Sequence, residues 1–316
     1  MVGTVLVTGA TGFLGHHLMP RLRERYGPEI VRGVGSGDYD LLDPIQARAM
    51  FGDVRPAVVI HLAAYSGGIG ANRAWPADFY YRNTLLTAHV FHEAARHEVR
   101  KLIYLMGGCS YPAGARSPIG EDQMWEGFPQ ADSAGYSMAK KMGLVASECH
   151  RRQHGLDSVV LIPGNMYGEW DNFRREESHV IPALIRRFHE AHECGAKEVV
   201  LWGTGRPVRD FVYAGDVAAV IPEFIEPCDL GEPMNISSGI ATSIADLAHL
   251  IKDLIAFDGE IIWDDSQPDG QMQKVFDVTR LERRGLSCPT SLSAGLRRTI
   301  DWFRKHSVRR QPAIRL

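Results

Sequence analysis

The 316-residue chain is 45% hydrophobic and 23% charged, and its 35 basic against 38 acidic side chains leave a formal charge of −3. That length can bury a core large enough for two lobes, while the near-balanced charge offers no field for a polyanion, which excludes nucleic acid and an anionic membrane as expected partners and points to small molecules. Five widely spaced cysteines (109, 149, 194, 228 and 288) without a C-x-x-C pair, and thirteen scattered histidines, exclude a disulfide framework and a zinc site, so no metal is expected and a reducing cytoplasm is the expected compartment.

The chain opens on the apolar run Val2 to Thr8, with no basic leader, and no uncharged apolar run approaches about 18 residues, so neither an export signal nor a membrane span is expected. This first run reads as a buried strand. It leads into Gly9-Ala10-Thr11-Gly12-Phe13-Leu14-Gly15 and then an amphipathic helix. Three glycines at these places permit a tight turn, close approach of backbone to a diphosphate, and tight packing of helix on strand, with the helix amides facing the anion. Dinucleotide binding is the expectation. A second strand over 30–34 ends in Gly33-Val34-Gly35-Ser36-Gly37-Asp38. A carboxylate at this tip would mark NAD and an arginine NADP; here Ser36 can donate to a phosphate, and Asp38 is either a ribose partner or a turn residue.

Further strands are expected over 57–60, followed by His61-Leu62-Ala63-Ala64, and over 101–105, followed by Cys109 near the carboxyl end of the sheet where ligands of open α/β sheets bind. The helix that carries Tyr136-Ser137-Met138-Ala139-Lys140 places its tyrosine and lysine one turn apart, where an ammonium can favour the ionised phenol. On a helical wheel Met138, Met142, Val145 and Cys149 form one stripe, expected to pack inward, with Tyr136 and Lys140 opposite. The alternation of apolar runs with helical patterns predicts an α/β fold: a Rossmann-type doubly wound parallel sheet with a smaller, interleaved α/β substrate-binding lobe. The expected cofactor lobe covers 1–164 with a return near 210–238, leaving 165–209 and 239–316 to the substrate.

The glycine triplet, the His61-Leu62-Ala63-Ala64 run and Tyr136-x-x-x-Lys140 together resemble the extended short-chain dehydrogenase/reductase superfamily. Six motifs narrow the resemblance: Gly67-Gly68-Ile69-Gly70-Ala71-Asn72, Trp75-Pro76-Ala77-Asp78-Phe79, Cys109-Ser110-Tyr111-Pro112, 178–184 (Ser-His-Val-Ile-Pro-Ala-Leu), 201–205 (Leu-Trp-Gly-Thr-Gly) and 268–270 (Pro-Asp-Gly) are similar to the GDP-fucose synthase family. That resemblance implies NADPH (NAD not excluded), a GDP-4-keto-6-deoxy sugar, and three steps at one site: epimerisation at C3 and C5, then reduction of the C4 ketone. It implies Tyr136 as acid or base, Lys140 as the residue that holds the nicotinamide ribose, and Cys109 with His179 as the proton-transfer pair, since inversion beside a ketone needs one group to remove a proton and another to return it. Cofactor contacts would come from the glycine loop, Ser36, Leu62, Ala63, Leu105, Met106, Gly107, Pro163, Asn165 and Met166.

Asn165 would also border the sugar. Arg187 and Arg209 suit a diphosphate, Trp202 a base or ribose, and Asp269 the N–H donors of guanine. Their other readings are an exposed helix arginine, a core indole and a Pro-Asp-Gly turn. Ser178 is expected to cap the helix after His179. One departure stands out. The family's serine two residues before the cysteine is Gly107 here, which leaves open an epimerase alone, or a reductase of a related ketosugar such as a heptose, with Ser110 as a substitute hydroxyl. A homodimer through helices near 78–96 and 134–154 is implied by the resemblance, and a basic tail over 309–316 is expected to be solvated.

Overall fold

The computed structural model describes residues 2–174, 177–226, 232–267 and 269–306. Its first layer alternates strand and helix: β1 (Val5–Thr8), α1 (Phe13–Tyr26), β2 (Val31–Val34), α2 (Pro44–Val54), β3 (Val58–His61), α3 (Ile69–Ala74), α4 (Pro76–Arg96), β4 (Lys101–Leu105), α5 (Ala134–His154) and β5 (Asp157–Pro163). After β6 (Asn165–Tyr167), α6 (Val180–Glu193), β7 (Glu198–Trp202) and β8 (Val208–Tyr213), the chain returns to that layer through α7 (Ala214–Val220) and β9 (Met234–Ile236). It ends in β10 (Ala241–Ser243), α8 (Ile244–Ile255), β11 (Glu260–Asp264), β12 (Gln273–Lys274), α9 (Thr279–Glu282) and α10 (Leu292–His306).

Six parallel strands form the main sheet in the order β2-β1-β3-β4-β5-β9. Successive side chains of a strand point to opposite faces, so a strand covered on both sides must be apolar throughout. Val5 and Val7 join Leu14, Leu18 and Leu22 of α1 and Val217 of α7 on one face, while Leu6, Val59 and Tyr104 join Met50 and Phe51 of α2 and Val90 and Phe91 of α4 on the other. β2 and β3 flank β1, so the order reverses there, and ligands of open α/β sheets bind at such a switch point. The architecture is thus doubly wound.

The second lobe is built on β10-β8-β12, with β6 beside β8, and on the pair β11-β7, under α6, α8 and α10. β8 pairs within this second sheet, with Phe211 and Tyr213 in its core and Val212 in the first core, whereas α7 and β9 pack with the main sheet.

The α5 stripe is a correction. Met142 (37% exposed), Val145 (42%) and Cys149 face solvent, while Lys140, Gly143 and Ser147 are buried. Hydrophobicity alone assigned the wrong face because the inward surface of α5 is closely packed by small and polar residues: a Cβ on Gly143 would strike the Tyr104 ring, and Ser147 Oγ pairs with Ser158 Oγ at 2.6 Å. Trp75, at the start of α4, and Tyr80 and Tyr81 within it are likewise exposed and extend the outer apolar surface.

Candidate active site

The cofactor cradle follows from three local facts. Gly9 has φ 69°, and a Cβ there would fall 2.7 Å from the Ala63 nitrogen; a Cβ on Gly15 would fall 2.4 Å from the Ala10 oxygen. Side chains are therefore excluded where a diphosphate would meet backbone. Helix α1 starts at Gly12 with no side-chain cap and no acid in its first turn, which leaves its N-terminal amides free for an anion. This fits a dinucleotide. At the β2 tip Ser36 is exposed, and Asp38 Oδ2 accepts from the Gly35 N–H at 2.8 Å, the contact of a turn residue. Leu62 and Ala63 line the end of β3 and are partly open; Leu105, Met106 and Pro163 are buried; Asn165 and Met166 are partly open, with Asn165 Nδ2 donating to the Asp210 carbonyl at 2.8 Å.

Beyond β4, Gly107 leads into a single 3₁₀ turn over Gly108–Ser110, which presents Cys109. A Cβ on Gly107 would lie 3.3 Å from Cys109 Sγ and 3.6 Å from Tyr136 Oη, so the thiol and the phenol flank one point. Gly108 has a different reason for being glycine: a Cβ there would collide with the Phe276 ring at 2.5 Å. Ser110 cannot stand in for a missing hydroxyl at position 107. It is fully buried, and its Oγ donates to the Ser137 carbonyl at 3.0 Å.

Tyr136 sits at the start of α5 with its ring edge-on to Phe79, 6.2 Å between centroids. Burial, Cys109 and Tyr104 raise its pKa, and burial lowers that of Lys140 to about 7. The expected stabilisation of the phenolate by Lys140 is thus outweighed in the free enzyme, because a dry site disfavours phenolate and ammonium alike.

His179 caps α6 by its backbone position, correcting the expected cap at Ser178, whose Oγ has no partner among the described residues. His179 opens to solvent, yet enough protein surrounds it that desolvation lowers its pKa and favours the neutral imidazole. The segment before it is pinned to the first lobe: the Gly68 N–H donates to the Glu177 carbonyl at 2.8 Å, and a Cβ on Gly68 would strike the Ser178 oxygen at 2.5 Å. Gly67 next to it packs on Phe79, the ring that meets Tyr136.

In the second lobe Arg187 is exposed and donates to the Val200 carbonyl, midway along β7, at 2.9 Å. Trp202 is 70% exposed, which removes the core-indole reading. Asp269 accepts from the Thr204 N–H at 2.8 Å and Thr204 Oγ1 at 2.6 Å, a tether between two loops, and each oxygen keeps a second lone pair. Pro268 lies outside the described residues. Sequence reasoning missed Lys274. It pairs in register with Arg209 across β12 and β8, and its charge interacts with Cys109 and Arg209 while burial lowers its pKa. A lone lysine between Gln273 and the buried pair Val275-Phe276 was the available signal. Among the described residues no cluster suits a metal ion, and no helix is long and apolar enough to cross a membrane.

A glycine cradle at the switch point, with a tyrosine and a lysine beside it, defines an NAD(P)-dependent enzyme of the short-chain dehydrogenase/reductase superfamily. The NAD dependent epimerase/dehydratase family model matches residues 5–237. Within that superfamily the chain belongs to the GDP-L-fucose synthase family, as nucleotide-sugar epimerases/reductases. It is 37% identical to GDP-L-fucose synthase 1 of Arabidopsis thaliana over 97% of this chain and 94% of the relative, and 36% identical to the GDP-L-fucose synthase of Escherichia coli K12 over 96% and 98%. Among solved structures it is similar to an NADP-bound GDP-L-fucose synthetase from Naegleria fowleri (TM-score 0.87, 27% identity, 97% and 95% covered). A GDP-mannoheptose C4 reductase from Campylobacter jejuni with NADP bound is similar too (TM-score 0.85, 26% identity, 96% and 99% covered).

Proposed function

We propose that the chain is an NADPH-dependent epimerase-reductase of a GDP-4-keto-6-deoxy sugar, which inverts C3 and C5 and then reduces the C4 ketone. The observation that carries this reading is the approach of Cys109 Sγ and Tyr136 Oη to one point over Gly107 at the carboxyl end of β4. A ketone placed there has acidic hydrogens on both neighbouring carbons. Cys109 and His179 then remove and return protons on opposite faces. A thiol acts as base only as thiolate, and Lys140 and Lys274 are the cations that interact with Cys109. Tyr136 donates its proton to the C4 oxygen, and a high phenol pKa suits an acid that must stay protonated until that moment. The dinucleotide, when bound, supplies the hydride; the glycine loop, Ser36 and the ends of β3, β4 and β5 would hold it, with Lys140 on its ribose.

Arg187, Arg209 and Lys274 would neutralise the diphosphate, Trp202 would cover the base or ribose, and the free lone pairs of Asp269 would accept from guanine. The exposed apolar residues of α4 and α5 support a homodimer through those helices. A second reading, epimerisation alone or reduction of a heptose, is favoured by Gly107 and by the likeness to a heptose C4 reductase. The test is incubation with GDP-4-keto-6-deoxymannose and NADPH in D2O, with product NMR as the readout. The proposal expects deuterium at C3 and C5 and one NADPH oxidised per product. NADPH oxidation without exchange removes the epimerase half; exchange without oxidation removes the reductase half.

A further inference from the structure

Lys140 is 3% exposed, and among the described residues no carboxylate pairs with it. What lies beneath it is aromatic. Its Nζ sits 4.3 Å from the centroid of the Tyr104 ring. The Tyr104 hydroxyl donates to the Lys140 carbonyl at 3.1 Å and lies 3.0 Å from Thr87 Oγ1. This approach needs Gly143, one turn on, because a Cβ there would fall 2.2 Å from the Tyr104 ring. His61 occupies the paired register position on β3 and stacks on Tyr104 at 5.7 Å and 29°. Its Nδ1 meets Thr8 Oγ1 at 2.7 Å, and complete burial keeps the imidazole uncharged.

We propose that Tyr104 is a positioning residue for the reaction: its ring face receives the Lys140 ammonium and its hydroxyl holds the Lys140 carbonyl, so one side chain fixes both ends of the lysine. The groups that interact with Lys140 are Tyr104 from β4, His61 from β3 and Cys109 from the turn after β4, with Tyr136 one turn back on its own helix. Neutral His61 contributes no repulsion. Cys109 favours the ammonium only as thiolate, which leaves the ring as the charge-stabilising surface present at every pH. Burial, the opposing influence, brings Lys140 down to about 7. The catalytic meaning rests on the proposed function; the test below uses neither substrate nor cofactor and so fails separately from it.

The chain has seven lysines, few enough for each ¹³Cε signal to be followed by NMR, with Lys140→Met marking the one of interest. The Lys140 signal is expected to be shifted by the Tyr104 ring current and to titrate near neutral pH. Tyr104→Leu should abolish that ring-current shift and lower the midpoint by about 1.5 pH units, the size of a desolvated cation–π contact. Tyr104→Phe should retain both. If the leucine variant does not fold, phenylalanine at position 104 carrying one, two or three fluorines keeps the shape while withdrawing charge from the ring face. The midpoint should then fall with each fluorine. A midpoint unmoved by leucine substitution or across the fluorine series overturns the proposal.

Discussion

Replacement of Gly107 by serine tests the geometry most directly. The backbone there (φ −122°, ψ 143°) accepts any residue, and the new Cβ would lie 3.3 Å from Cys109 Sγ, 3.4 Å from Tyr136 Cε1 and 3.6 Å from Tyr136 Oη. These contacts are tight but not prohibitive, so neighbours need yield only a few tenths of an ångström. The hydroxyl is thereby delivered between phenol and thiol, where the proposed function would have a C4 oxygen acquire negative charge during reduction. A donor at such a point is worth about 2.7–4 kcal/mol, or about 10²–10³ in turnover, when it is fully preorganised. A grafted serine lacks that support, and a gain of about tenfold in NADPH oxidation is expected. Solvent-deuterium exchange at C3 and C5 should change less than about twofold. Gly107→Ala supplies the Cβ without the hydroxyl and should give no gain. Equal effects of alanine and serine, or a serine variant that loses reduction and exchange together, would refute the reasoning.

Tyr136→Phe should reduce NADPH oxidation by about 10²- to 10⁴-fold while exchange at C3 and C5 persists, as measured by NMR; parallel loss of both would remove the phenol as the reductive acid. Lys274→Met should raise KM for the GDP-sugar with little change in NADPH affinity, and an unchanged KM would detach this lysine from the diphosphate. Asp269→Ala should weaken GDP-sugar binding far more than NADPH binding, with equal losses counting against the guanine contact. Lys140→Met should alter stability in a pH-dependent way. The folded lysine titrates near 7, below its ordinary 10.5, so the unfolded chain holds more protons between those values and wild-type stability rises with pH across that window. The thermal advantage of the methionine variant should therefore be greatest at and below pH 7 and shrink toward pH 10; a constant difference would contradict a buried, depressed lysine.

The strands of the main sheet were legible because burial on both faces demands uninterrupted apolar runs, and the Gly9–Gly15 loop because its turn excludes side chains. Helix α5 misled for a physical reason: a wheel assumes that apolar means inward, whereas this helix turns Tyr136 and Lys140 toward the site and leaves Met142 and Val145 outside. Ser178 matched a cap preference, but the backbone turned one residue later. Ser110 carried no mark of its bond to the Ser137 carbonyl, which depends on packing between segments far apart in the chain. Lys274 lay hidden for the same reason, its neighbours Cys109 and Arg209 being set by strand register and loop closure.

The bond between Gly68 and Glu177 ties the approach to α6 to the lobe that carries the glycine loop. His179, two residues beyond that staple, is held from both sides: the staple precedes it, and α6, which packs in the second-lobe core, follows it. Its place is therefore set by both lobes at once, so a change that loosens either attachment would be felt at the imidazole.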